Sequence, residues 1–189
     1  MKAASPHICP WWLGYLLINP LRKYYQNPER ILRPYVQPGM KVVDYGCAMG
    51  YFSLPLARLV GETGKVYAID IQEKMITSLK HRTVKTGLEE IIKPILITEG
   101  DPFNELTGQI DFALLFAMVH EVPDKQELFS AVAYMVKPGG LVLFAEPRGH
   151  VSLSAFEDSL KTAASSGFKI ADRIWISGSH AVILKKQHV

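Results

Sequence analysis

The chain has 189 residues, 48% hydrophobic and 21% charged, the make-up of one soluble globular domain with a sizeable core. Its net charge of +3 comes without a basic stripe, which argues against nucleic acid as a partner. Two cysteines, Cys9 and Cys47, make no disulfide framework and fit a reducing, cytoplasmic setting, and no apolar stretch is long enough to span a bilayer.

Residues 1–34 read as an N-terminal helical extension ahead of a main domain over 35–189. Within it, His7 and Cys9 are metal-ligand types without matching partners elsewhere, so no metal is expected. Trp11, Trp12, Tyr15 and Leu16 suggest an aromatic face with two readings: contact with a membrane interface beside Arg22 and Lys23, or, the favoured one, a lid over the substrate pocket. Pro34 and Pro38-Gly39 then punctuate the approach to the first strand.

Residues 42–50 read Val-Val-Asp-Tyr-Gly-Cys-Ala-Met-Gly. A buried strand runs into Asp44, and a turn carrying Gly46, Ala48 and Gly50 opens an apolar helical run from Tyr51 to Val60. Such a turn lets a ligand approach the backbone and aims helix N–H groups at it. A second strand, 65–69, ends in Asp70, about 20 residues beyond the turn, the usual separation for a ribose-binding acid. Loop and acid together describe a nucleoside-cofactor site. Cys47 in the turn reads as a space-filling residue rather than a reactive thiol.

Strands and helices alternate from there. Further strands are expected at 94–98, 110–116 and 140–145, each rich in the residues of a doubly buried sheet. Helices are expected at 72–86, ending at Gly87, at 125–136 behind Asp124 with Glu127 at box spacing, and at 155–166 behind Ser154. Pro138-Gly139-Gly140 should stop the second of these. Segments 168–176 and 180–185, three residues apart, can pair only antiparallel. The sum is five strand–helix units and a hairpin: an α/β fold with a seven-stranded sheet, mostly parallel, with one antiparallel strand.

On these residues the chain resembles the class I S-adenosylmethionine-dependent methyltransferases, and in particular the small-molecule group that includes the ubiquinone/menaquinone and arsenite enzymes. The resemblance runs from about Tyr35 to Lys186. It rests on the 44–50 loop, Tyr-Ala-Ile-Asp-Ile (67–71), Gly-Asp-Pro-Phe (100–103), Phe-Ala-Met-Val-His-Glu-Val-Pro-Asp (116–124) and Val-Lys-Pro-Gly-Gly (136–140). It implies a Rossmann-like doubly wound sheet and S-adenosylmethionine as cofactor. Gly46, Cys47, Ala48, Gly50 and Tyr51 would form the loop facing the methionine moiety, and Asp44 would hold its ammonium. Asp70 would take the ribose hydroxyls and Ile71 would pack on the adenine. Gly100, Asp101 and Pro102 would meet the adenine edge, and Phe116 would sit beside the sulfonium. The methyl acceptor would be a small molecule, selected by the N-terminal segment as a lid, by residues 117–123 and by the 146–151 loop. Tyr24 or Tyr25 is expected near the cofactor.

His120 and Glu121 follow the fourth strand, where an acceptor would lie, and as a pair can take a proton from an O–H or N–H. Ala48 stands where the family has glycine. The expectation is that the position needs only a small side chain, not a positive φ. Two rival functions are a non-catalytic S-adenosylmethionine-binding module and an NAD(P)-dependent oxidoreductase. The latter's Gly-x-Gly-x-x-Gly, begun at Gly46, fails at Ala48 and Tyr51.

Overall fold

A computed structural model of the chain describes residues 22–97 and 103–188. Two short helices, α1 (Arg22–Tyr25) and α2 (Pro28–Leu32), lead into β1 (Lys41–Tyr45). Then follow α3 (Ser53–Val60), β2 (Lys65–Asp70), α4 (Glu73–Thr86), β3 (Ile92–Leu96), β4 (Ile110–Phe116), α5 (Lys125–Met135), β5 (Val136–Pro147), α6 (Leu153–Ser165), β6 (Phe168–Arg173) and β7 (Ser179–Lys186). The seven strands form one sheet in the order β3-β2-β1-β4-β5-β7-β6. β7 runs antiparallel to both β5 and β6, and the other pairings are parallel. The order reverses between β1 and β4, which opens a crevice at the carboxyl ends of those strands.

Both faces of the sheet are covered, so the central strands are apolar on both sides. Val42 of β1 joins a core layer with Leu56, Val60 and Phe112, while its neighbour Val43 joins the opposite layer with Phe129, Phe144 and Phe156. The helices are set by local chemistry. In α4, Met75, Ile76, Leu79 and Thr83 make the buried stripe, and Gly87 closes it at φ +66°, a left-handed conformation natural to glycine. In α5, the Asp124 carboxylate accepts the Glu127 N–H at 2.9 Å, the N-cap expected from the spacing.

Several boundaries differ from expectation. β3 begins at Ile92 and carries Pro94 in its middle, opposite Ala68; an edge strand tolerates the missing donor. Among the described residues, the β3–β4 connection holds a single 3₁₀ turn, Asn104–Leu106, rather than a full helix. α6 is capped by Ser152, which accepts the Ala155 N–H, not by Ser154; Glu157 instead forms a two-pronged ion pair with Arg173 at 2.8 and 3.0 Å. Most instructive is β5. Lys137-Pro138-Gly139-Gly140 ends the helix but does not delay the strand, which pairs from Val136 opposite Ile110 and then shifts register. Gly140 makes the irregularity possible: a Cβ there would lie 2.7 Å from Val136 Cγ1 and 3.0 Å from the Lys137 carbonyl oxygen.

The N-terminal helices are part of this body. Leu32 is fully buried and Tyr35 stacks on Phe112 of β4. His7, Cys9, Trp11, Trp12, Tyr15 and Leu16 lie outside the described residues. No helix among the described residues is long and apolar enough to cross a membrane.

Candidate active site

β1 and β2 hand over to their loops side by side, with Asp44 opposite Ala68 and Tyr45 opposite Ile69. The Ile69 carbonyl accepts both Gly46 N–H and Cys47 N–H, at 2.9 and 3.0 Å. The glycine turn is thereby pinned to the second strand. Asp70 completes the junction: its Oδ2 accepts Ala48 N–H and its Oδ1 accepts Gln72 N–H, both at 2.9 Å. Gly46, Ala48 and Gly50 all take positive φ, +74°, +47° and +83°. The expectation for Ala48 is therefore corrected. The position does require the left-handed region, and alanine occupies it because Asp70 holds the following geometry in place.

A cavity of about 750 Å³ opens over this junction, within the range of small-molecule sites. Gly46, Ala48, Asp70, Ile71 and Glu121 line it, together with Tyr45, Met118 and residues of α5. The fit to the group the resemblance implies can be read from the donor set. The Ala48 and Gln72 N–H groups each bond one Asp70 oxygen, and the Ile71 N–H also favours the carboxylate; with about four acceptor positions in all, the group keeps capacity for a ribose hydroxyl. Ile71, more than half exposed, offers an apolar surface next to it. At Gly46 a Cβ would lie 2.9 Å from Met118, so any side chain would press on the cavity wall. These residues fit a ribose-bearing cofactor.

The other sequence-predicted residues lie beneath or beside the cavity. Asp44 is buried under the loop, where its Oδ2 accepts the Ser53 hydroxyl at 2.5 Å. Burial pushes its carboxyl up to about 7, against the Ser53 hydrogen bond. Cys47 is buried, and burial together with the charges of Asp44 and Asp70 pushes its thiol well above the ordinary value; it packs rather than reacts. Gly50 closes onto Leu79 of α4. Tyr51 and Phe52 meet edge to face, and Phe52 packs on Phe116 with centroids 4.5 Å apart. Gly100, Asp101 and Pro102 lie outside the described residues.

Three features were not read from the sequence. Arg22 lays its guanidinium over the Tyr51 ring at 4.3 Å, and within 5.7 Å of the Phe52 and Phe116 rings. Arg22 packs directly into this aromatic corner; Tyr25, though largely exposed, lies close enough to act on both Arg22 and Tyr51, while Tyr24 is exposed. The Tyr51 hydroxyl donates to the Gln26 carbonyl at 2.8 Å, fastening the N-terminal helices beside it. Finally, the nearer carboxylate to His120 is not Glu121, whose Oε1 makes a long ion-pair contact with Nε2 at 3.9 Å. It is Glu146, at the end of β5, whose Oε2 meets His120 Nδ1. A glutamate ending an apolar strand beside the crevice was the available signal for that residue.

A family model described as a methyltransferase domain matches residues 36–181. The demethylmenaquinone methyltransferase of Bacillus mycoides is 31% identical over 115 residues, covering 59% of this chain and 46% of that protein. The chain spans about half the length of the curated relatives it matches. Among solved structures, an S-adenosylmethionine-dependent methyltransferase from Aquifex aeolicus superposes with a TM-score of 0.84 at 23% identity, covering 95% of this chain and 100% of that one. A putative rRNA methylase from Clostridium thermocellum gives 0.67 at 19% identity, covering 85% of this chain and 93% of that one. The glycine turn, the acid on the second strand and the reversed seventh strand, with the family match over most of its length, make this chain a member of the class I methyltransferases whose cofactor is S-adenosylmethionine.

Proposed function

We propose that this protein transfers a methyl group from S-adenosylmethionine to a small-molecule acceptor. The observation that carries the reading is Asp70, which lines the cavity with acceptor capacity to spare and is held there by the backbone N–H groups of Ala48 and Gln72. Bound in this cavity, the cofactor supplies an electrophilic methyl group on a positively charged sulfur.

The chain's own residues bind and orient. Asp70 would hold the ribose hydroxyls, and Ile71 would cover the adenine, with Gly100, Asp101 and Pro102 at its edge. Gly46, Cys47, Ala48, Gly50 and Tyr51 would shape the methionine end, and Asp44 beneath them would favour its ammonium. Phe116, within the aromatic corner of Phe52 and Arg22, would border the reacting centre. Residues 1–34 would close over the acceptor as a lid. His120 would take the acceptor's proton, with Glu121 at the cavity wall. Much of the rate would come from aligning the acceptor with the S–CH₃ bond. The menaquinone-type relatives support a small aromatic or quinol acceptor.

Isothermal titration with S-adenosylmethionine, S-adenosylhomocysteine and NADH tests the reading. Micromolar binding of the first two and none of the third is expected. Binding without formation of S-adenosylhomocysteine across a panel of hydroxyl, amine and thiol acceptors would favour the non-catalytic alternative.

A further inference from the structure

Glu146 is a carboxylate at the end of β5 with only 2% of its surface exposed. Such burial is costly unless every oxygen finds a donor. Oε1 accepts the Val119 N–H at 2.9 Å, and Oε2 meets His120 Nδ1. Both contacts fall on the 3₁₀ turn Val119–Glu121 that follows β4, so one buried group fixes the backbone and the imidazole of the same turn. An ionised carboxylate can only accept hydrogen bonds. Its contact therefore requires the proton on Nδ1, and in the neutral ring Nε2 then carries the lone pair. Nε2 lies 3.9 Å from Glu121 Oε1, and it is Glu121, not His120 itself, that lines the cavity. His150 stands edge-on to the His120 ring, with centroids 5.7 Å apart.

We propose that Glu146 is the positioning residue of a proton-accepting dyad, holding His120 with Nδ1 protonated and Nε2 presented at the Glu121 edge of the cavity to a hydroxyl-bearing acceptor. This rests on the methyl-transfer reading above. As the acceptor oxygen bonds to the methyl and the S–CH₃ electron pair returns to sulfur, the hydroxyl proton passes to Nε2. The sulfonium charge is thereby replaced by an imidazolium charge, which Glu146 neutralises at Nδ1, and the proton then leaves to solvent. Glu121, Glu146, Lys125 and His150 are the charged or titratable groups around this imidazole. The contact with Glu146 is the largest influence holding its protonated form against burial.

The test begins with the ligand-free protein. Long-range ¹⁵N–¹H spectra of the wild type should show a pyridine-like Nε2 on His120 above its titration midpoint; a pyridine-like Nδ1 would overturn the proposal without any variant. In Glu146→Gln the amide can still accept from Val119 but offers an N–H to His120, so the tautomer should invert and the midpoint fall. An unchanged tautomer in a folded variant would equally defeat it. With S-adenosylmethionine and 1,4-dihydroxynaphthalene as the acceptor probe, Glu146→Gln and His120→Gln should each lower kcat roughly 100-fold, the lower range for a lost general base. The KM for S-adenosylmethionine should stay within about twofold, and the double variant should lose no more than either single one. Equal kcat in wild type and both variants would remove the dyad from the reaction. If the wild type fails to methylate the probe, the acceptor reading fails, while the tautomer spectra still decide the role of Glu146.

Discussion

Ala48, in the turn after β1, and Asp70, the last residue of β2 and 22 positions on, are joined by a single 2.9 Å hydrogen bond from backbone N–H to carboxylate. That bond ties the turn after β1 to the end of β2 and turns two local motifs into one site. It also explains how alanine survives at φ +47°, where a Cβ costs about 1–2 kcal/mol.

Ala48→Gly should therefore stabilise the fold. Relief of the left-handed strain exceeds the added freedom of the unfolded chain, and a gain of about 0.5–1 kcal/mol is expected. Urea unfolding measures it, with an unchanged slope and a higher midpoint. A lower midpoint would mean that the loop is not strained at this residue.

Asp70→Ala should weaken S-adenosylmethionine binding by about 1.5–3 kcal/mol, the worth of hydrogen bonds to a charged group. It also strands the N–H groups of Ala48 and Gln72. Asp70→Asn keeps the size but loses the charge and exchanges one accepting oxygen for an NH2 donor, so titration calorimetry should rank wild type above Asn above Ala. Equal affinity in all three would take Asp70 out of the site.

Asp44 gives stability a particular pH dependence. Burial raises its carboxyl in the folded state to about 7 from an ordinary 3.8. The folded protein holds this proton where the unfolded chain has lost it, so the group's contribution falls as pH rises between those limits. The slope reaches at most about 1.4 kcal/mol per pH unit. Comparing urea unfolding of wild type and Asp44→Asn from pH 4 to 8 isolates it. Ser53→Ala should push the carboxyl higher still, because the Ser53 hydrogen bond opposes the shift.

Gly140→Ala tests the bulged start of β5. The new methyl would meet Val136 and two backbone carbonyls, those of Lys137 and Asp111, at 2.7–3.1 Å. Backbone cannot yield cheaply, and a loss of about 1–3 kcal/mol is expected for such overpacking. Thermal melting would read it as a fall of several degrees; an unchanged melting temperature would show that the register shift relaxes freely.

The sequence by itself determined what short-range chemistry determines. Short apolar runs rich in Val, Ile, Leu and Phe mark β1, β2 and β4, the turn over 46–50 follows from its small residues, and Asp124 and Gly87 set helix ends. Each of these depends on neighbours within about four positions, where backbone sterics and capping act. The number of strands and the one reversed direction followed from the alternation of elements and the short link before β7; the order in which the strands pair did not. Only the tertiary structure decided the rest. Ala48 takes a positive φ because a carboxylate from another strand rewards it. β5 runs through Pro138 and Gly139 because β4 supplies a partner for Val136. His120 turns from its neighbour Glu121 to Glu146, 26 residues away, because the ends of β4 and β5 lie side by side. Such pairings arise from packing between distant segments, and local preference carries no trace of which buried group will meet which.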